Sequence, residues 1–140
     1  MNKVLLTAIV GSLSAQVLKI IINYIYYKKI DFRIIFSTGG MPSSHAASVM
    51  ALSTAVGIEE GFNSNIFAIC LFFSFIVMYD AAGIRRAAGK QAEILNKILD
   101  DLYAGRKADE KLKELLGHTP VEVFIGAIWG IIIALIMYAL

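Results

Sequence analysis

Apolar residues dominate four stretches of the chain, at 4–27, 42–58, 65–84 and 120–140, and polar residues gather mainly between them. The first stretch (VLLTAIVGSLSAQVLKIIINYIYY) is interrupted by Gln16 and Lys19, and the last carries Glu122 as its single charge. Each of these two is long enough to cross about 30 Å of hydrocarbon as a helix. The third centres on IFAICLFFSFIVMY, while the second, PSSHAASVMALSTAVGI, is shorter and rich in small residues. The pattern predicts an all-α integral membrane protein with about four transmembrane helices. No Pro- or Ser-rich linker and no internal repeat divides it, so residues 1–140 are expected to form a single membrane-embedded domain. Polar residues in the middle of the first segment predict that it stays as a helix and is not cleaved as a signal.

Only residues 85–119 form a sizeable polar portion. There Ile94, Leu95, Ile98, Leu99, Leu102 and Tyr103 recur on one face at helical spacing with charges opposite, and ADEKLKELLG follows a break at Ala104-Gly105. This predicts an amphipathic helical insertion, about 88–117, between helices three and four. It would lie on the cytoplasmic membrane surface or cap the bundle, the alternative being a soluble hairpin that holds a dimer together.

Composition agrees with a membrane protein: 58% of the residues are hydrophobic and 17% charged, with a mean hydropathy of +0.70. The net charge of +2 conceals an asymmetry, because 11 of the 13 Lys and Arg residues lie in 28–41 and 85–119. With four spans those two segments share a side, and the positive-inside bias predicts a multi-pass protein of the cytoplasmic membrane with both basic segments in the cytoplasm and both termini outside. No concentrated basic face of the kind that binds nucleic acid is present. Cys70, alone in an apolar run, reads as a packing residue.

The polar groups closest to the spans fall at one predicted membrane face. In GGMPSSH (39–45), Gly40 permits a tight turn and Pro42 suits the first position of a helix, whose free N–H groups and positive dipole end make an anion site. Ser43 and Ser44 add hydroxyls there, and His45 reaches toward the same anion. In YDAAGIRR (79–86), Arg85 and Arg86 are either interfacial anchors or phosphate ligands, with Asp80 placed to orient one of them. In GHTPVE (117–122), His118 and Glu122 are four apart and face the same way in a helix that begins near Thr119-Pro120. A carboxylate that accepts from one ring nitrogen fixes the tautomer and leaves the other nitrogen as a base or nucleophile. A structural hydrogen bond is the simpler alternative.

PSSH, a distal Arg, and His118 followed at the fourth position by an acid resemble the signature K-x6-R-P, P-S-G-H, S-R-x5-H-x3-D. This is the signature of the type-2 phosphatidic acid phosphatase superfamily, related to the vanadium-dependent haloperoxidases. GGMPSSH, YDAAGIRR and LGHTP together are similar to its small divergent branch across nearly the whole chain. The resemblance implies a metal-independent, cofactor-free lipid-phosphate phosphatase that hydrolyses a phosphomonoester, phosphatidate- or phosphatidylglycerophosphate-like, from the inner leaflet. In it His118 would form a phosphohistidine, Glu122 would take the place of the family's Asp, and His45 would protonate the leaving alcohol. Lys19, Gly40, Ser43, the Ser44 amide and Arg85 or Arg86 would hold the phosphate. Ser44 stands where the family has Gly, and no Arg-Pro follows Lys19, so Arg33, Lys28 or Lys29 would supply that contact. No Ser precedes the Arg, and 31 residues separate Arg86 from His118. Four spans are fewer than membrane members usually have, which implies a homodimer. Two other classes stay open: a Mg²⁺-dependent phosphotransferase using Asp80, Glu93, Asp100 and Asp101, and a non-enzymatic transporter or scaffold.

Overall fold

A computed structural model describes residues 2–28, 40–102 and 117–140, which are helical with no strand. Among the described residues five helices follow one another: α1 (Lys3–Tyr27), α2 (Ser44–Glu60), α3 (Asn65–Ala82), α4 (Ile84–Leu102) and α5 (Pro120–Ala139). Three helical runs among the described residues are long and apolar enough to cross a membrane: α1, the run that begins with α3, and α5. The side chains that these helices turn outward are those a lipid would solvate. Leu5, Ile9, Leu13, Val17 and Ile21 recur every fourth residue along α1, and Phe72, Phe73, Phe75 and Ile76 cover the outside of α3. Beyond Lys19, α1 runs on through the exposed Tyr24, Tyr26 and Tyr27.

The second expected span, α2, is enclosed by other helices. At 17 residues, α2 is about 26 Å long and packs against α1, α3 and α5 at once. Ala46, Ala47, Ala51, Ser53 and Ala55 have no exposed surface. Such small side chains let neighbouring backbones come close, which is how helices associate where lipid removes the hydrophobic drive. Gly11 of α1 faces Ala47 and Ala51, and a Cβ there would stand 2.8 Å from the Ala51 methyl. On α5, a Cβ at Gly126 would strike the Ser43 carbonyl and one at Gly130 the Ala47 carbonyl. Several polar groups are paired across these contacts. Ser53 Oγ and Ser74 Oγ share a hydrogen bond of 2.7 Å between α2 and α3, Ser48 Oγ donates to the Ala8 carbonyl, and Trp129 Nε1 donates to Ser14 Oγ between α5 and α1.

The two ends of the bundle differ. At one end Tyr138 of α5 donates to Glu59 of α2 at 2.5 Å, and the ammonium of Lys3 on α1 lies 4.5 Å from the centre of the Tyr138 ring. Beside them Phe62 covers Gly57 and meets Phe67, the opening turn of α3, edge-on with centroids 5.1 Å apart. At the other end the C-terminal half of α1, the N-termini of α2 and α5 and the C-terminus of α3 converge.

The expected boundaries shift locally. The third span ends at Ala82, where the Gly83 N–H closes on the Tyr79 carbonyl, and α4 starts at once with Ile84. Pro42 does not open α2. Ser43 is its N-cap and accepts from the Ala46 N–H at 3.4 Å, so Pro42 is the buried residue that precedes the cap. The helix expected over ADEKLKELLG lies outside the described residues. On α4 itself Ile94, Leu95, Ile98 and Leu102 are exposed.

Close backbone approach makes a prediction about Gly130. Ala at this helix position gains about 0.8–1 kcal/mol in propensity, but the obstacle is the α2 backbone, and overpacking costs about 1–3 kcal/mol. Gly130→Ala is expected to lower the thermal unfolding midpoint in detergent, whereas Ile132→Val on the outer face is expected to leave it almost unchanged. Equal midpoints for both variants would contradict the α2–α5 contact.

Candidate active site at one end of the bundle

Each element delivers its polar groups through local chain chemistry. Thr119 caps α5 and Pro120 takes its first position, where the missing N–H has no intrahelical role. Glu122 N donates to Thr119 Oγ1 at 3.3 Å and Thr119 N donates to Glu122 Oε2 at 3.0 Å, a reciprocal capping box. Glu122 therefore satisfies the start of the helix and is not stranded within the apolar run. The same Oε2 lies 3.3 Å from Nδ1 of His118, whose side chain is 1% exposed. With a carboxylate facing it, Nδ1 carries the proton, which leaves the Nε2 lone pair available.

Two backbone bonds then lock the three remote stretches together. Ser43 N donates to the Glu122 carbonyl at 3.1 Å, and His118 N donates to the Ala81 carbonyl at 2.9 Å. Below them Ala46, Ala81 and Val123 form a small apolar floor. The rings of His45 and His118 meet edge to face with centroids 6.1 Å apart. Lys19, 3% exposed on α1, joins from the side, and its alkyl stem runs past Gly40 close enough that a Cβ there would stand 3.4 Å from Cδ. Gly40 has φ +91, a conformation that favours glycine. Ser43 is fully buried and Ser44 6% exposed.

Lys19, Gly40, Ser43, Ser44, His45, His118 and Glu122 thus come together. Asp80 sits one residue before Ala81, whose carbonyl holds His118, and Arg85 and Arg86 stand in the first turn of α4 after the Gly83 break. Arg33 lies outside the described residues. Among the described residues no three His, Cys, Asp or Glu side chains gather as a metal-binding group. One site residue had drawn notice in the sequence only as a blemish in the apolar run: Gln16 Nε2 donates to Ser44 Oγ at 3.3 Å. Its signal was the three-residue spacing from Lys19, which puts both on one helix face.

Against this geometry the comparisons are specific. The model of the Divergent PAP2 family matches residues 1–133. The chain belongs to this family. It is also 43% identical to "Uncharacterized membrane protein YuiD" of Bacillus subtilis (strain 168), in an alignment that covers 97% of this chain and 94% of that relative. No solved structure matches it.

His118 is held below the ordinary histidine value near 6.5, first by burial and then by the Lys19 charge, while the hydrogen bond and charge of Glu122 pull the other way. The neutral ring is thus the form the fold favours. The unfolded chain takes up the proton as pH falls through about 6.5, so the contribution of His118 to stability is present above that pH and is lost as pH drops toward the folded value. A ring-proton NMR titration should place the His118 midpoint below 6.5, with Lys19→Met raising it and Glu122→Gln lowering it further. A shift in the opposite sense in either variant would contradict this electrostatic assignment.

Proposed function

We propose that the protein is a metal-independent phosphatase of phosphorylated membrane lipids, working through a phosphohistidine on His118. The observation that carries this reading is the pair of imidazoles 6.1 Å apart at the N-termini of α2 and α5, one backed by a carboxylate and flanked by a lysine. Two ring groups, an ammonium and a helix N-terminus are the components that phosphoryl transfer needs, since that reaction depends on positioning and on neutralising charge.

In this mechanism Nε2 of His118 attacks phosphorus and the bond to the lipid alcohol breaks. The alcohol oxygen receives a proton from the His45 imidazolium. Water then attacks the phosphorus, the P–N bond breaks, and His45 takes up the proton that the water releases, so that the ring is charged again when inorganic phosphate leaves. Lys19, Ser43, the Ser44 amide and Arg85 or Arg86 hold the phosphate oxygens, Asp80 orients the arginine, and Glu122 keeps the His118 tautomer in place. With the basic residues of 28–41 and 85–119 on the cytoplasmic side, as the positive-inside bias favours, the substrate in this reading is a phosphomonoester lipid of the inner leaflet.

The capping box favours a second reading, in which Glu122 and His118 only start a helix of a membrane scaffold. Two variants separate the readings. Glu122→Gln keeps an oxygen for the Thr119 N–H but loses the charge behind His118, whereas Thr119→Val loses its side of the cap, about 1 kcal/mol, and keeps the His118–Glu122 pair. Purified protein incubated with ³²P-labelled lipid phosphates is expected to release phosphate and to carry acid-labile label on His118. Glu122→Gln should slow release by about 10²-fold or more with little change in melting, His118→Asn should carry no label, and Thr119→Val should melt earlier yet retain activity. Release should survive a chelator and stop with vanadate. Label that persists in His118→Asn, or no release from any lipid in the panel, would exclude the mechanism.

A further inference from the structure

Gln16 belongs to the working part of the site described above, and its chemistry differs from that of every other group there. It is an uncharged amide set within an apolar helix, one turn before Lys19 and on the same face. Its Nε2 donates to Ser44 Oγ at 3.3 Å, and its Oε1 is buried with no hydrogen-bond partner among the described residues. A buried amide oxygen left unsatisfied costs about 1–3 kcal/mol, so an amide kept at this depth for packing alone is a poor choice beside Leu or Met. The bond to Ser44 has a direction. Because the amide donates, Ser44 Oγ accepts, and the hydroxyl proton of Ser44 is left to donate elsewhere.

Ser44 opens α2, next to the cap residue Ser43 and beside His45. An acceptor in the position of the bound phosphoryl group would meet that proton. We infer that Gln16 is a positioning residue that turns the Ser44 hydroxyl outward as a hydrogen-bond donor to the phosphoryl oxygens. The inference rests on the phosphatase reading and adds to it a donor that a glycine at position 44 lacks. The pair thus compensates for the side chain that distinguishes this chain from the P-S-G-H pattern: without the amide to fix it, the hydroxyl would be as free to present its lone pairs to the anion as its proton.

Orthovanadate binding by the purified full-length protein in detergent provides the test, because it reads the anion site without turnover. Gln16→Met keeps the length and volume of the side chain and removes the donor. It is expected to weaken vanadate binding about tenfold, as is Ser44→Ala, and the double variant should bind no more weakly than either single one. A structural role for Gln16 would instead weaken binding by the same factor whether or not Ser44 is present, and that result would overturn the inference while leaving the phosphatase reading intact. Should Gln16→Met fail to fold, Ser44→Ala decides alone: binding as tight as in the unaltered protein would show that the hydroxyl donates nothing to the anion. If the unaltered protein binds no vanadate, both the site and the positioning role fall together.

Discussion

The close approach of two backbones, those of α1 and α5, to α2 is the constraint on which the structure rests. Ala46, Ala47, Ala51 and Ala55 offer only methyl groups, and Gly11, Gly126 and Gly130 offer less, so α1 and α5 touch the α2 backbone nearly directly. In lipid the gain comes from packing and from satisfied polar groups, since exposed apolar side chains are as well solvated as buried ones. That is why the large residues Phe72, Phe73, Phe75 and Ile132 face outward and the small ones face in, the reverse of a water-soluble core.

The candidate site is a by-product of how those helices begin and end. An N-terminus that reaches the bundle surface needs partners for its free N–H groups, and Ser43, Thr119 and Glu122 provide them. The same atoms set the chemistry, because the carboxylate oxygen that closes the α5 cap also faces His118. Economy of this kind ties reactivity to folding. The backbone bonds from Ser43 to Glu122 and from His118 to Ala81 fix the registers of α2, α3 and α5, so the geometry of the two histidines is inherited from main-chain pairing and not left to side-chain freedom.

Much of this was legible in the chain. The α5 start was, because Thr119, Pro120 and Glu122 form a local signal that needs no tertiary context. The gathering of GGMPSSH, YDAAGI and GHTPVE at one end was too, since alternating helix direction places those segments together. The enclosed position of α2 was visible only as an excess of Ala and Ser, the composition that close helix packing favours. Pro42 misled because helix-start rules place proline after the cap, and here Ser43, one residue later, has the side chain that caps. Gln16 looked like a fault in an apolar run because its partner is 28 residues away, beyond the reach of any local rule.

The clasp of Lys3, Tyr138 and Glu59, with the Phe62–Phe67 contact beside it, fastens the starts or ends of α1, α2, α3 and α5 at the end remote from the histidines. Both extremities of α3 are thereby held, by the Phe62–Phe67 contact at one and by the Ala81 carbonyl, which accepts from His118 N, at the other, so the phenylalanines that α3 turns outward ride on a helix anchored at each end.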